Sequence, residues 1–225
     1  MPKTLKGRVT IVTGAGHGVG AVIAQAMAAS GALVTVNDIN PDRAERVAQA
    51  IGQAGGEALA VQADVANKFQ CVKLVEATRA QWGQLDVLVN VAHVSPRATV
   101  LKMDEWDWNR CMEVNVKGVF FMSQLCGRVM NDSQRGGVIV NVIAEAGLKV
   151  ALEGRAAFGA SQAAVMGFAR ECAREFATYG VQVHTLIRDG ATDDEGVASA
   201  VLALCASSHE TQGTRLKPAE ARQQR

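Results

Sequence analysis

The stretch RVTIVTGAGHGVG, residues 8–20, sets the reading of the whole chain. An unbroken β-branched run ends in glycines at 14, 16, 18 and 20, and AVIAQAMAAS, which follows, has a helical pattern. Glycines between a strand and a helix let the backbone turn tightly and approach a pyrophosphate, which the helix N-terminus then favours electrostatically. The same glycines could instead do no more than pack the strand closely against the helix. Asp38 closes the next strand-like run, ALVTVND. A carboxylate there can accept both hydroxyls of an adenine ribose, and it would repel the 2′-phosphate of NADP.

Outward from this loop, β-rich runs recur regularly: ALVTVND, ALAVQAD, LDVLVNV, GVIVNVI and VQVHTLI. Helical patterns lie between them, over 18–30, 41–54, 67–82, 107–131 and 155–179. The strands are nearly continuous in Val, Ile and Leu. That implies burial on both faces, hence a parallel sheet with helices on either side. Strand starts recur at βαβ spacing with no Pro/Gly-rich linker, so the expectation is α/β: a single doubly wound, Rossmann-like domain over residues 1–216. EGVASAVLALCASS reads as a last helix and TQGTRL as a last short strand. KPAEARQQR, residues 217–225, reads as a loose polar tail.

Composition narrows the function classes. The chain has 225 residues, 48% hydrophobic and 20% charged, with a net charge of +1, which gives no electrostatic case for nucleic acid or an anionic membrane. Five scattered cysteines without a CxxC argue against a disulfide framework or a zinc site, and no metal is expected. No targeting segment and no apolar run of membrane-spanning length is evident, so the expected location is cytoplasmic.

With TGAGHGVG, LDVLVNVA and the strand pattern together, the chain resembles the short-chain dehydrogenase/reductase family from Lys6 to about Leu216. The resemblance implies a nucleotide site built from Gly14, His17, Gly18, Val19 and Gly20 of the loop, Asp38, the adenine-holding pair Asp64 and Val65, and Asn90. Asp86 and Asn90 match the start of the family's DxLVNNAG motif. Asn115, in MEVNVKGVF, matches the asparagine that organises the family's proton relay.

The departures fall where the family does its chemistry. Its serine position is Ala144, its tyrosine position Phe158 and its lysine position Gln162, so no catalytic residue is expected although Asn115 is retained. Phe158 has no exchangeable proton, Ala144 no donor, and Gln162 no charge. Loss of a general acid/base costs about 10²–10⁴ in rate, and loss of an oxyanion donor about 10²–10³. Tyr179, the single tyrosine, lies 21 residues past Phe158, about 30 Å along a continuous helix. His93 and Glu145 are nearer by resemblance. Val91 and His93 replace the second Asn and the Gly of NNAG. Arg188 and Asp189, or Asp189 and Gly190, replace the Pro-Gly after the sixth strand, and the segment that covers substrate in the family is reduced to a few residues.

The resemblance therefore implies a catalytically inactive subunit that holds NAD weakly or not at all. Its expected partner is an active paralogue in a hetero-oligomer, a tetramer, with no nucleic acid and no membrane. The alternatives are an NAD-sensing regulatory module and an unorthodox oxidoreductase using His93 or Glu145. Within 155–179, Phe158, Val165, Ala169, Cys172 and Phe176 form an apolar stripe. Ala160, Ala163, Ala164 and Gly167 leave room for a second surface to approach.

Overall fold

The computed structural model describes residues 4–206 and 215–216. The expected polar tail, 217–225, lies outside them, as does most of the expected last strand.

The first strand, β1 (Val9–Val12), is buried along its whole length. It feeds α1 (Gly18–Ala29), then β2 (Leu33–Asp38) and α2 (Pro41–Gln53). The start of α2 is fixed locally: Pro41 opens it, and Asn40 Oδ1 accepts from the Arg43 amide at 3.1 Å. β3 (Glu57–Gln62) leads to α3 (Lys68–Trp82), which Asn67 caps through the amides of Phe69 and Gln70 and which Gly83 ends in the left-handed conformation. β4 (Val87–Asn90) is followed by α4 (Glu105–Met112) and α5 (Gly118–Asp132). The single helix expected over 107–131 is thus two helices, joined by a π-helical turn, Glu113–Lys117. β5 (Gly137–Ala144), α6 (Ala156–Phe176), β6 (Val181–Arg188), α7 (Asp194–Ala206) and β7 (Arg215–Leu216) complete the order.

All neighbouring strands pair in parallel, in the order β3-β2-β1-β4-β5-β6-β7. Two cores sandwich the sheet. On one face Met27 of α1, Ile51 of α2 and Val201 of α7 pack with Val12, Val36 and Val89. On the other Leu74 of α3, Met122 of α5 and Ala169 of α6 pack with Ile11, Leu88 and Ile139. The doubly wound architecture is as the strand pattern predicts. β3 is the exception to two-sided burial: it is an edge strand, and its residues are only half-buried or exposed. Among the described residues no helix is long and apolar enough to cross a membrane. The five cysteines are free and buried, and burial pushes the Cys71 and Cys205 thiols up to about 12.

One polar group in the core couples stability to pH. His184, in β6, is fully buried; its Nε2 lies 3.3 Å from Gln182 Oε1, and its Nδ1 has no hydrogen-bond partner among the described residues. Burial disfavours the imidazolium and lowers the pKa from 6.5 to about 4. Between these values the unfolded chain binds a proton that the folded chain refuses. The stability is therefore full above pH 6.5 and is lost as pH falls toward 4, by on the order of 3 kcal/mol. Urea unfolding of the wild type should show this slope across that window, and His184→Gln should flatten it.

Candidate functional site

The sheet order reverses beside β1, since β2 lies on one side of it and β4 on the other. In an open parallel sheet such a reversal leaves a crevice at the carboxyl ends of the strands. Here it is a cleft of about 410 Å³. Thr13 holds its floor: its buried hydroxyl oxygen accepts from the amides of Val91 at 3.0 Å and Ala92 at 3.2 Å. Two loop glycines are required by contact with backbone. A Cβ on Gly14, which has φ +63°, would lie 2.7 Å from Ala92 Cα, and one on Gly20 would collide with the Gly14 carbonyl oxygen. Close packing thus accounts for Gly14 and Gly20, whereas a Cβ on Gly18 would meet nothing within 4 Å. The same packing brings Gly14, Gly18, Val19 and Gly20 to the cleft wall.

The structure brings His17, Asp38, Asp64 and Val65 to the same cleft. Both acids already have partners. Asp38 is 3% exposed; its Oδ2 accepts from the Gly16 amide at 3.1 Å and lies 3.5 Å from His17 Nδ1, while its Oδ1 accepts from the Asn40 amide at 2.9 Å. Asp64 Oδ1 accepts from the Ala66 amide at 2.9 Å, and Oδ2 is paired with Arg110 Nη2, also at 2.9 Å. Each carboxylate has lone pairs left for a ribose or base.

Asn90 does not belong with this group. It lies outside the cleft, and its side chain donates to Asn141 Oδ1 at 2.8 Å in the interior. The cleft wall begins one residue later, where β4 has ended and Val91, Ala92, His93 and Val94 all line it. Arg43, Arg110 and Ile39 line the cleft as well, and the sequence reading passed over them. Arg43 had a signal, because it stands on the first turn of α2 just beyond Asp38. Arg110 had none, since its partner lies 46 residues away.

At the other end of the cleft the positions of the family's catalytic groups do come together. Phe158 is buried in an apolar cluster with Cys111, Ala146 and Ala157, against Val94 and Ala144. Its ring lies 5.7 Å from that of His93, centroid to centroid. Gln162 is 4% exposed and turned inward: its Oε1 accepts from the Ala144 amide at 2.8 Å, and its Nε2 faces Ser161 Oγ at 3.3 Å. Asn115, in the π-helical turn, holds the Val94 amide with Oδ1 at 2.8 Å. Its Nδ2 donates to the Val94 carbonyl and to Ser161 Oγ, each at 2.9 Å. The Ser161 hydroxyl donates its one proton to the Phe158 carbonyl at 2.7 Å.

This is a satisfied network that offers no hydroxyl proton to the cleft. Beneath His93, Asn115 and Gln162 the remaining cavity is about 10 Å³, room for about one water molecule. Glu145 lies beside Ala144, with its Oε1 3.9 Å from Lys149 Nζ. Tyr179 is half exposed against Phe176 on the far end of the α6 segment. The two halves of the cleft thus differ. Glycines, acids and arginines fit a nucleotide's adenosine and phosphates, whereas the Phe158 cluster does not fit a reacting nicotinamide ribose.

Comparison with known proteins agrees with this architecture. Residues 8–197 match the short chain dehydrogenase profile. An uncharacterized oxidoreductase of Thermotoga maritima is 37% identical over 198 residues, 88% of this chain and 77% of that protein. D-threitol dehydrogenase of Mycolicibacterium smegmatis is 36% identical over 182 residues, 81% of this chain and 69% of that one. A crystal structure of a short chain dehydrogenase from Mycobacterium smegmatis superposes with a TM-score of 0.92 at 27% identity, covering 96% of this chain and 93% of its own. Sheet order, glycine loop and sequence match agree, and the chain belongs to the short-chain dehydrogenase family.

Proposed function

We propose that this chain is a non-catalytic, cytoplasmic subunit of a short-chain alcohol dehydrogenase complex, assembled with an active NAD-dependent paralogue. The observation that carries the reading is the state of the former reaction centre. Phe158 is core, Gln162 is a buried backbone ligand, and Ser161 and Asn115 spend their donors on one another and on main chain. A proton relay needs a group that can exchange its proton with substrate, and this network supplies none. The heteromeric 2-[hydroxy(phenyl)methyl]-succinyl-CoA dehydrogenase of anaerobic toluene degradation, which carries an inactive subunit, is an assembly of the kind proposed.

α6 supports the assembly half of the proposal. Val165, Ala169 and Cys172 are buried against the chain's own core, whereas Ala160, Ala163, Ala164 and Gly167 are exposed on the other side. Beside them a groove of about 270 Å³ runs between α5 and α6, lined by Phe120, Phe168, Phe176 and Tyr179. An apolar, small-residue helix face beside exposed aromatics suits a second helix pair.

Two further readings remain distinct. An NAD-sensing module would use the adenosine side without any dehydrogenase partner. An active oxidoreductase is favoured by the names of relatives such as D-threitol dehydrogenase, and it would need His93, exposed at the mouth with Nδ1 2.9 Å from the Val91 carbonyl, or Glu145. Co-purification from the native source, with identification of the associated chains, separates the first two readings. An accompanying dehydrogenase with its serine, tyrosine and lysine intact supports the subunit reading.

The isolated chain should show no single-turnover hydride transfer between NAD(H) and alcohols or ketones above background. Ala144→Ser, Phe158→Tyr and Gln162→Lys together should stay poor on the partner's substrate, because only residues 189–193 separate β6 from α7 and can cover it. Near-normal turnover by the triple variant would refute the argument from the missing cover.

Gly167→Arg should dissociate the complex in sedimentation or size-exclusion measurements and leave the partner less stable or less active. A Cβ at 167 meets nothing within 4 Å, so the fold should tolerate the change. A complex that survives it would remove this face from the interface.

A further inference from the structure

We infer that the cleft is a nucleoside-diphosphate site in which Arg188 binds the terminal phosphate, so that ADP is its preferred nucleotide over a dinucleotide. The inference rests on the adenosine half-site described above and adds a ligand class to it.

Arg188 ends β6 in register with Ala144 of β5, and its side chain lines the cleft together with Gly18 and Val19. It thus shares the cleft with the glycine loop and, through its strand partner Ala144, adjoins the Phe158 cluster. Its Nη2 donates to Asp194 Oδ1, on the first turn of α7, at 2.7 Å. The two side chains are 40% and 30% exposed. An ion pair so open to water holds its arginine loosely. A guanidinium has five donors, so Arg188 can keep Asp194 and still present a fork to phosphate.

The wall beside it is suited to the same anion. Gly18, Val19 and Gly20 open α1 and line the cleft, and no side chain caps that helix. Amides at a helix start together with a guanidinium are what a phosphate chain favours. Past Arg188 the cleft changes character. The His93 and Phe158 rings stand there, and Gln162 is turned away into the network with Ala144 and Ser161. A nicotinamide riboside gains little on that side.

Charge decides between the ligands. The terminal phosphate of ADP is close to a dianion at neutral pH, whereas esterification in ADP-ribose or NAD removes one of those charges. AMP lacks the second phosphate altogether. A bidentate arginine discriminates in favour of the free terminal phosphate.

Calorimetric titration of the full chain with ADP, AMP, ADP-ribose and NAD tests this. ADP should bind about tenfold tighter than the other three. Arg188→Ala should abolish that advantage while leaving AMP affinity within about threefold. Asp194→Asn, which frees the guanidinium, should tighten ADP and leave AMP unchanged. Thermal melts check folding. If Arg188→Ala does not fold, Arg188→Lys carries the test, with ADP weakened several-fold and AMP not. Equal affinities for ADP and AMP, equal loss of both in the Arg188 variants, or NAD bound as tightly as ADP would overturn the inference and leave the adenosine half-site standing. No binding of any of the four at millimolar concentration would overturn both.

Discussion

The backbone of Gly14 lies so close to that of Ala92 that a single added carbon would sit 2.7 Å from Ala92 Cα. Thr13 fastens the same junction from the side by accepting the Val91 and Ala92 amides. These contacts pin together the ends of β1 and β4, the two strands between which the crevice opens. Moving β4 away from β1 would disturb more than the loop. The chain just after β4 is held by Asn115 through Val94, and its last residue is tied to β5 through Asn90 and Asn141. The fold therefore depends on a steric condition and a few buried amides. None of these requires a reactive hydroxyl or a buried cation.

Residues at positions 144, 158 and 162 can therefore vary without disturbing this junction. A lysine at position 162 would have to keep its ammonium in contact with water or with a bound ligand, because an unpaired buried charge is expensive. Glutamine has no such demand. Its amide turns inward, accepts the Ala144 N–H and meets Ser161, so the polar atoms of the α6–β5 contact are paired. Phe158 lies beside it in the apolar cluster with Cys111 and Ala146.

Much of this was legible from residues alone, and the limits have physical causes. Strand runs and the glycine loop located β1 to β6 and the cleft, because burial on both faces leaves an unambiguous mark. β3 misled slightly, since an edge strand keeps apolar residues without full cover. The π-helical turn at Glu113–Lys117 was missed, as a single turn is too short to show a period of its own. Asn90 was assigned to the cleft by its motif, but its side chain is held inside by Asn141, and the cleft wall begins at Val91. Arg110 could not be found at all. Its pairing with Asp64 joins α4 to the loop after β3, and only the folded sheet brings those segments together.

The short connection between β6 and α7 bears on how the cleft can be used. Asp189 Oδ1 accepts both the Thr192 amide and its hydroxyl, at 2.9 and 2.7 Å, and Asp193 Oδ1 accepts the Gly196 amide at 2.8 Å. Arg188 is tied forward to Asp194 as well. Residues 189–193 are thus consumed by an Asx turn and a helix cap, with no length left to reach over the cleft mouth. Covering loops exclude water and complete a reaction site, and this segment can do neither. The geometry of one turn therefore fixes Arg188 at the cleft wall through its pairing with Asp194.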